Sequence, residues 1–112
     1  MMYYDFEAGN KAYKLRLNTR NIVALERQLG CNPISIFGKG DTVPTVSAMV
    51  AVLHASLQQY QHGISLDDAY AIFDDYLNDG HAMTDFITEI ISIYRASGII
   101  KADTQTEVEE KN

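Results

Sequence analysis

The sequence predicts a mainly α fold of the α+β kind: an N-terminal β-hairpin, then a small bundle of about four helices, then a disordered acidic C-terminal tail. Three observations carry this. Residues 3–17 alternate with a period of two around Gly9-Asn10, the signature of a hairpin with a two-residue loop. From Leu17 onward the apolar period changes to that of helices, punctuated by Gly30, Gly63, Gly80 and Gly98. After Ile100 the composition turns polar and acidic, with Val108 as the only branched apolar residue, too little burial to offset chain ordering. Residues 1–100 are therefore expected to form one helical domain with its hairpin, and 101–112 a tail or linker. At 112 residues and 46% hydrophobic composition the chain suffices for one packed core.

With Gly9 and Asn10 as the loop, Phe6 lies opposite Tyr13, Tyr4 opposite Leu15 and Asp5 opposite Lys14. One face then carries Tyr4, Phe6, Tyr13 and Leu15; the other carries Tyr3, Asp5, Glu7, Lys14 and Arg16, with opposite charges across the strands. Asn18 or Thr19 caps a first helix with the stripe Ile22, Leu25 and Leu29, which ends at Gly30. Asn32-Pro33 starts a short turn through Ile34, Ile36 and Phe37, and Gly38-Lys39-Gly40 forms a flexible link. A longer helix begins near Pro44, with Val46, Met49, Val50, Leu53, Leu57 and Tyr60 on its buried side. Ser65-Leu66-Asp67-Asp68 reads as a capping box opening a third helix, with Leu66, Ala69, Tyr70, Phe73 and Leu77 buried. The last helix runs from about His81 to Ser97 on Met83, Phe86, Ile87, Ile90, Ile91 and Tyr94, with Ile99 and Ile100 folding back onto it.

Charge is unevenly distributed. Residues 1–40 hold six Lys and Arg against three Asp and Glu, and residues 41–112 three against twelve, for a net charge of -6. An acidic chain with a pI near 4.8 and no basic cluster is poorly suited to gripping phosphate backbones or anionic lipid, so neither nucleic acid nor membrane is an expected partner. No apolar run approaches membrane-spanning length, and the N-terminus lacks the basic lead and apolar stretch of a secretory signal, which places the protein in a cytoplasm.

The chemistry-bearing residues read mostly as structural. His54, His62 and His81 share no metal-binding helical spacing; His62 suits a helix C-terminus and His81 an N-cap. The run Asp74-Asp75-Tyr76-Leu77-Asn78-Asp79-Gly80 fails as a calcium loop, because Leu77 and Phe86 stand where ligands belong. Cys31 reads as a small buried residue. No phosphate loop, nucleophile elbow or zinc signature is present, so no enzyme, cofactor or metal is expected; a metal-dependent hydrolase using Asp74, Asp75, Asp79 and His81 is the remote alternative. Aromatic residues mark the surface instead. Tyr3, Tyr4, Phe6, Tyr13 and Leu15 are the candidate protein-interaction residues, and an uncovered strand edge is expected to mediate self-association that Tyr13→Pro weakens. The plainer alternative is that the hairpin's apolar face simply covers the helices.

The stretch Tyr13-Lys14-Leu15-Arg16-Leu17-Asn18-Thr19-Arg20-Asn21-Ile22-Val23-Ala24-Leu25-Glu26, followed by Leu29-Gly30-Cys31-Asn32-Pro33-Ile34, resembles a strand, a helix and an "l-G-x-N-P-l" corner found in one family. That family is the tail assembly chaperones of long-tailed, siphovirus-type phages and prophages of Gram-positive hosts. Pro44-Thr45-Val46 and Phe73-Asp74-Asp75-Tyr76-Leu77 with Gly80 are similar to later parts of the same pattern, which extends over roughly Tyr3 to Ile100. The resemblance implies a non-enzymatic protein of the bacterial cytoplasm, absent from the mature virion. Such a protein binds the tape-measure protein, keeps its helical and apolar segments soluble, and helps recruit tail-tube subunits. It also implies a longer frameshifted form, for which Glu110-Lys111-Asn112 encoded as GAA AAA AAC would supply the slippery heptamer. A structural head-to-tail connector or tail-completion subunit is the alternative.

Overall fold

In a computed structural model, residues 2–38 and 43–101 are described. An antiparallel hairpin of β1 (Tyr4–Ala8) and β2 (Lys11–Leu15) precedes four helices: α1 (Thr19–Leu29), α2 (Val46–Leu57), α3 (Leu66–Asn78) and α4 (Asp85–Ser97). A 3-10 turn, Pro33–Phe37, follows α1. The expected hairpin and four-helix bundle are thus both present. The Lys39-Gly40 part of the link and the tail from residue 102 lie outside the described residues.

The hairpin register agrees with the alternation: Tyr4 faces Leu15, Asp5 faces Lys14 and Phe6 faces Tyr13. Gly9 and Asn10 both have positive φ, 60° and 65°, the geometry of the primed turn whose twist matches the flanking strands. Three of the starts follow the predicted caps. Asn18 accepts from Asn21 N–H, Asn32 from Ile34 and Ser35 N–H, and Ser65 and Asp68 form a reciprocal capping box.

Helix α2 is the centre of the molecule. Residues Ala48–Leu53 and Ala55–Leu57 are buried, so its burial runs all the way round rather than along the single stripe expected, because α1, α3, α4 and β2 pack around it. It begins at Val46 under the Thr45 cap and ends at Leu57. Tyr60 and His62 therefore lie beyond it and are exposed, where a buried Tyr60 and a helix-terminal His62 were expected.

Three further expectations are corrected. The buried stripe of α3 is Ala69, Ile72, Phe73 and Tyr76, while Tyr70 is 46% exposed. Both stripes have helical spacing; the one containing Tyr76 faces inward because its ring joins Phe6, Phe73 and Phe86 in an aromatic cluster. Helix α4 starts at Asp85, not His81, because Ala82 N–H donates back to Asp85 Oδ2 and the chain turns at Met83, which is left exposed. Cys31 is exposed, since it follows the Gly30 cap on the side away from the core.

Candidate interaction surface

The five candidate residues separate into two groups. Phe6 and Leu15 are core residues, 2% and 0% exposed, packed with the helices, so the hairpin's apolar face is consumed within the chain. Tyr3, Tyr4 and Tyr13 are half-buried at its margins. Tyr3 lies outside the apolar face, edge-on to Tyr60 at 5.6 Å with the Lys14 ammonium 4.9 Å from its ring centroid.

Two anchors fix the hairpin. At its tip, Gly9 N–H donates to Asp79 Oδ2 at 2.9 Å, and a Cβ on Gly9 would stand 2.8 Å from Asp75 Oδ2. Position 9 thus needs glycine both for its positive φ and for the closeness of α3. At its base, Arg16 Nη1 donates to the carbonyls of Met2 and Ala96, Leu17 N–H donates to Ser97 Oγ, and Arg16 N–H donates to Ser56 O.

Between the anchors lies a node that the sequence reading missed. Glu89 of α4 accepts from Tyr4 OH on the hairpin through one carboxylate oxygen, and from Tyr76 OH on α3, at 2.9 Å, through the other. Three elements meet on one half-buried carboxylate. The signal was present in sequence: a lone acid between Ile87 and Ile90 on the last helix, with tyrosines elsewhere needing acceptors. Burial, reinforced by the bond to Glu89 and its negative charge, raises the Tyr4 phenol to about 12 and pushes Tyr76 well above the usual phenol range. Burial does the same to Tyr94, whose hydroxyl donates to Pro33 O. A phenol raised in the folded state stabilises fully below its unfolded value near 10 and loses that contribution as pH rises from about 10 towards about 12. Stability measured by urea unfolding is accordingly expected to be flat from pH 8 to 9.5 and to fall above pH 10, and Tyr4→Phe should shallow that fall.

Beside the hairpin an open cleft of about 320 Å³ is lined by Tyr13, Ile64, Ala71 and Ile72 together with Lys11, Asp68 and Asp75. Burial and then the Asp75 charge raise the Tyr13 phenol. A lining that mixes apolar side chains with charges of both signs suits an aliphatic or aromatic side chain carried on a polar segment. Of the candidate residues, Tyr13 is the one that reaches this cleft.

The strand edges qualify the self-association expectation. In a two-residue hairpin the loop-closing pair Ala8 and Lys11 is hydrogen-bonded, and the alternation makes Phe6 with Tyr13 and Tyr4 with Leu15 hydrogen-bonded pairs too. Tyr13 N–H therefore points at Phe6, and Tyr13→Pro would break the hairpin rather than its free edge. The outward-facing groups are those of Asp5 and Glu7 on β1 and Ala12 and Lys14 on β2, for which no hydrogen bond from the main chain is found outside the hairpin among the described residues.

The residues of the hydrolase alternative do not converge. Asp75 and Asp79 face the hairpin tip. His81, expected as an N-cap, instead stacks on the Tyr76 ring at 4.1 Å with Nδ1 3.8 Å from Asp85. Among the described residues no three His, Cys, Asp or Glu side chains are placed to hold a metal ion. His54 Nε2 and Gln58 Nε2 both meet Ile64 O, tying the α2 terminus to the loop that lines the cleft. No described helix is long and apolar enough to cross a membrane.

No curated protein and no solved structure matches this chain. The match that carries identity is to a family defined by sequence, and it spans residues 5–111. The chain belongs to this family, DUF6096, a family of unknown function.

Proposed function

We propose that the chain is a non-enzymatic tail assembly chaperone of a long-tailed phage or prophage. It works in the cytoplasm of the bacterial host, where it binds apolar helical segments of the tape-measure protein and helps recruit tail-tube subunits. The observation that carries the reading is the structural continuity of the residues behind the resemblance. Strand β2, helix α1 and the Asn32-Pro33 corner form one uninterrupted unit with the expected Asn18 and Asn32 caps. The cleft beside Tyr13 supports it by offering Tyr13, Ile64 and Ile72 as apolar contacts on the flank of that unit. Two findings together would test it: a -1 reading frame overlapping the codons for 110–112 ahead of a long helical gene, and absence of the chain from purified particles. Presence in purified particles would favour a tail-completion subunit instead.

On this reading copies also associate through the free β-edge. Ala12→Pro removes an outward-facing donor and leaves the Phe6–Tyr13 pair intact. It is expected to lower the apparent mass in light scattering towards that of a monomer without changing the circular dichroism spectrum. A wild-type chain that stays monomeric at every concentration would contradict edge association.

A further inference from the structure

We infer that the exposed stripe of α1 docks on the exposed stripe of α3 in a second copy of this chain, a contact separate from the free β-edge. On α1 the stripe is Arg20, Val23, Ala24 and Arg27; on α3 it is Asp67, Tyr70, Ala71 and Asp74. All of these residues are exposed. The two sets share one spacing, i, i+3, i+4 and i+7, which places each on a single helix face. Each reads charge, apolar residue, alanine, charge, with the charges positive on α1 and negative on α3.

The dimensions agree. In both stripes the outer charges stand two turns apart, roughly 10 Å along the axis. A base can therefore meet an acid at both ends when the helices lie side by side, in either direction. Between the charges, Val23 is 38% and Tyr70 46% exposed. Ala24 and Ala71 add little bulk, which lets the axes approach to the roughly 8–10 Å of ordinary helix packing. A shallow groove of about 490 Å³, lined by Thr19, Arg20, Val23, Ala24 and Arg27, gives the Tyr70 ring a seat. Glu26 sits on the adjoining side of α1, about 100° round the axis from Arg27.

These charges are unused within the chain. Arg20, Arg27, Asp67 and Asp74 make no ion pair and no side-chain hydrogen bond among the described residues. Helices α1 and α3 each pack on α2 rather than as a pair with one another. Their stripes lie opposite the buried sides, which carry Leu25 on α1 and Ile72, Phe73 and Tyr76 on α3, so the two cannot meet in one molecule. A second copy supplies the missing half. The contact is heterologous, so a pair keeps one unused stripe of each kind and takes further copies head to tail. Opposite potentials set the register, and exposed ion pairs are weak and screened by salt, so the association is reversible and salt-sensitive. Ala71 also lines the cleft beside Tyr13, which puts a docked copy at the edge of that cleft.

The single cysteine supplies the probe. Cys31 is exposed and lies about one helical turn beyond Arg27. Full-length chain carrying a nitroxide at Cys31 is mixed with full-length 15N-labelled chain carrying Cys31→Ser, so that every effect read by NMR is between molecules. At low salt the amide signals of 67–74 are expected to fall below about half their diamagnetic intensity, and to recover at about 0.5 M salt, where the Debye length is only a few Å. Arg20→Glu/Arg27→Glu on the nitroxide chain should abolish the loss, and adding Asp67→Lys/Asp74→Lys on the 15N chain should restore it. Where dichroism shows that a reversal perturbs folding, Arg20→Gln/Arg27→Gln should abolish the loss in its place. Undiminished signals of 67–74 in the wild-type mixture at low salt would overturn the proposal. So would a loss that survives the arginine substitutions, folded reversals on both chains that fail to restore it, or a loss confined to residues 4–15, which would assign the contact to the hairpin edge.

Discussion

Phe6→Ala is expected to cost about 3–5 kcal/mol, the range for deleting a buried aromatic ring from a packed core. Phe6 is the hairpin's main stake in the helical core. Its ring lies 5.4 Å from Tyr76, 5.9 Å from Phe86 and 6.4 Å from Tyr13, so removing it opens a void shared by β1, β2, α3 and α4. None of these neighbours can collapse into the space easily, because Tyr76 is held by Glu89 and the hairpin tip by Asp79. With a urea slope of about 1–3 kcal/mol per M, the midpoint should fall by at least about 1 M with an unchanged slope. Phe6→Leu, which keeps most of the volume, should recover more than half of the loss. A midpoint shift no larger than that of an exposed control such as Val43→Ala would mean that the hairpin is not part of the cooperative core.

The second large effect is expected at Glu89. Glu89→Ala leaves the hydroxyls of Tyr4 and Tyr76 without their acceptor, and a hydrogen bond to a charged group contributes about 1.5–3 kcal/mol. Tyr76 is 1% exposed and cannot turn to water, whereas Tyr4 is half-buried and can. The expected cost is therefore about 2–3 kcal/mol rather than twice the single-bond value. The asymmetry of hydrogen-bond energetics gives a sharper test: removing both sides of a buried pair is far cheaper than removing one. In the Glu89→Ala background, Tyr76→Phe should restore stability, although in the wild-type background it lowers it. Additive losses in that double-mutant cycle would show that the Glu89 carboxylate does not couple the two helices.

What the sequence made legible follows from how local each signal is. The hairpin register was readable because a two-residue loop and a two-residue period leave one consistent pairing, and Asn18, Asn32 and Ser65 were readable as caps because capping acts over three residues. The inward face of α3 was not. Tyr70 and Tyr76 both sit on apolar stripes of helical spacing, and the choice between them is made by Glu89 and Phe86 on another helix. Likewise α2 reads as amphipathic in isolation and is buried all round only because four other elements enclose it.

The candidate surface divides in the same way. Alternation placed Tyr13 and Phe6 on one face correctly, but alternation cannot say that Phe6 and Leu15 are sealed by the chain's own helices while Tyr13 opens onto a cleft with Ile64 and Ile72. Nor does it reveal Arg20 and Arg27 as a basic face, which appears only once α1 has buried Leu25 and turned the arginines outward. Cys31 departs from its expected burial for a related reason: small apolar residues are usually buried, but the turn at Gly30 directs this one to solvent.

If, as proposed, an apolar segment of a tape-measure protein seats in the cleft beside Tyr13, co-expressing the chain with a tape-measure protein encoded beside it should keep that protein soluble. The soluble fraction is then measured, together with co-elution on a sizing column. Ala71→Arg, an exposed substitution on the cleft wall, is compared in parallel. The expected result is a soluble complex with the wild-type chain and at least a tenfold loss of co-eluting tape-measure protein with Ala71→Arg, while the variant alone keeps its fold. A tape-measure protein equally insoluble with or without the wild-type chain, or a complex indifferent to Ala71→Arg, would contradict it.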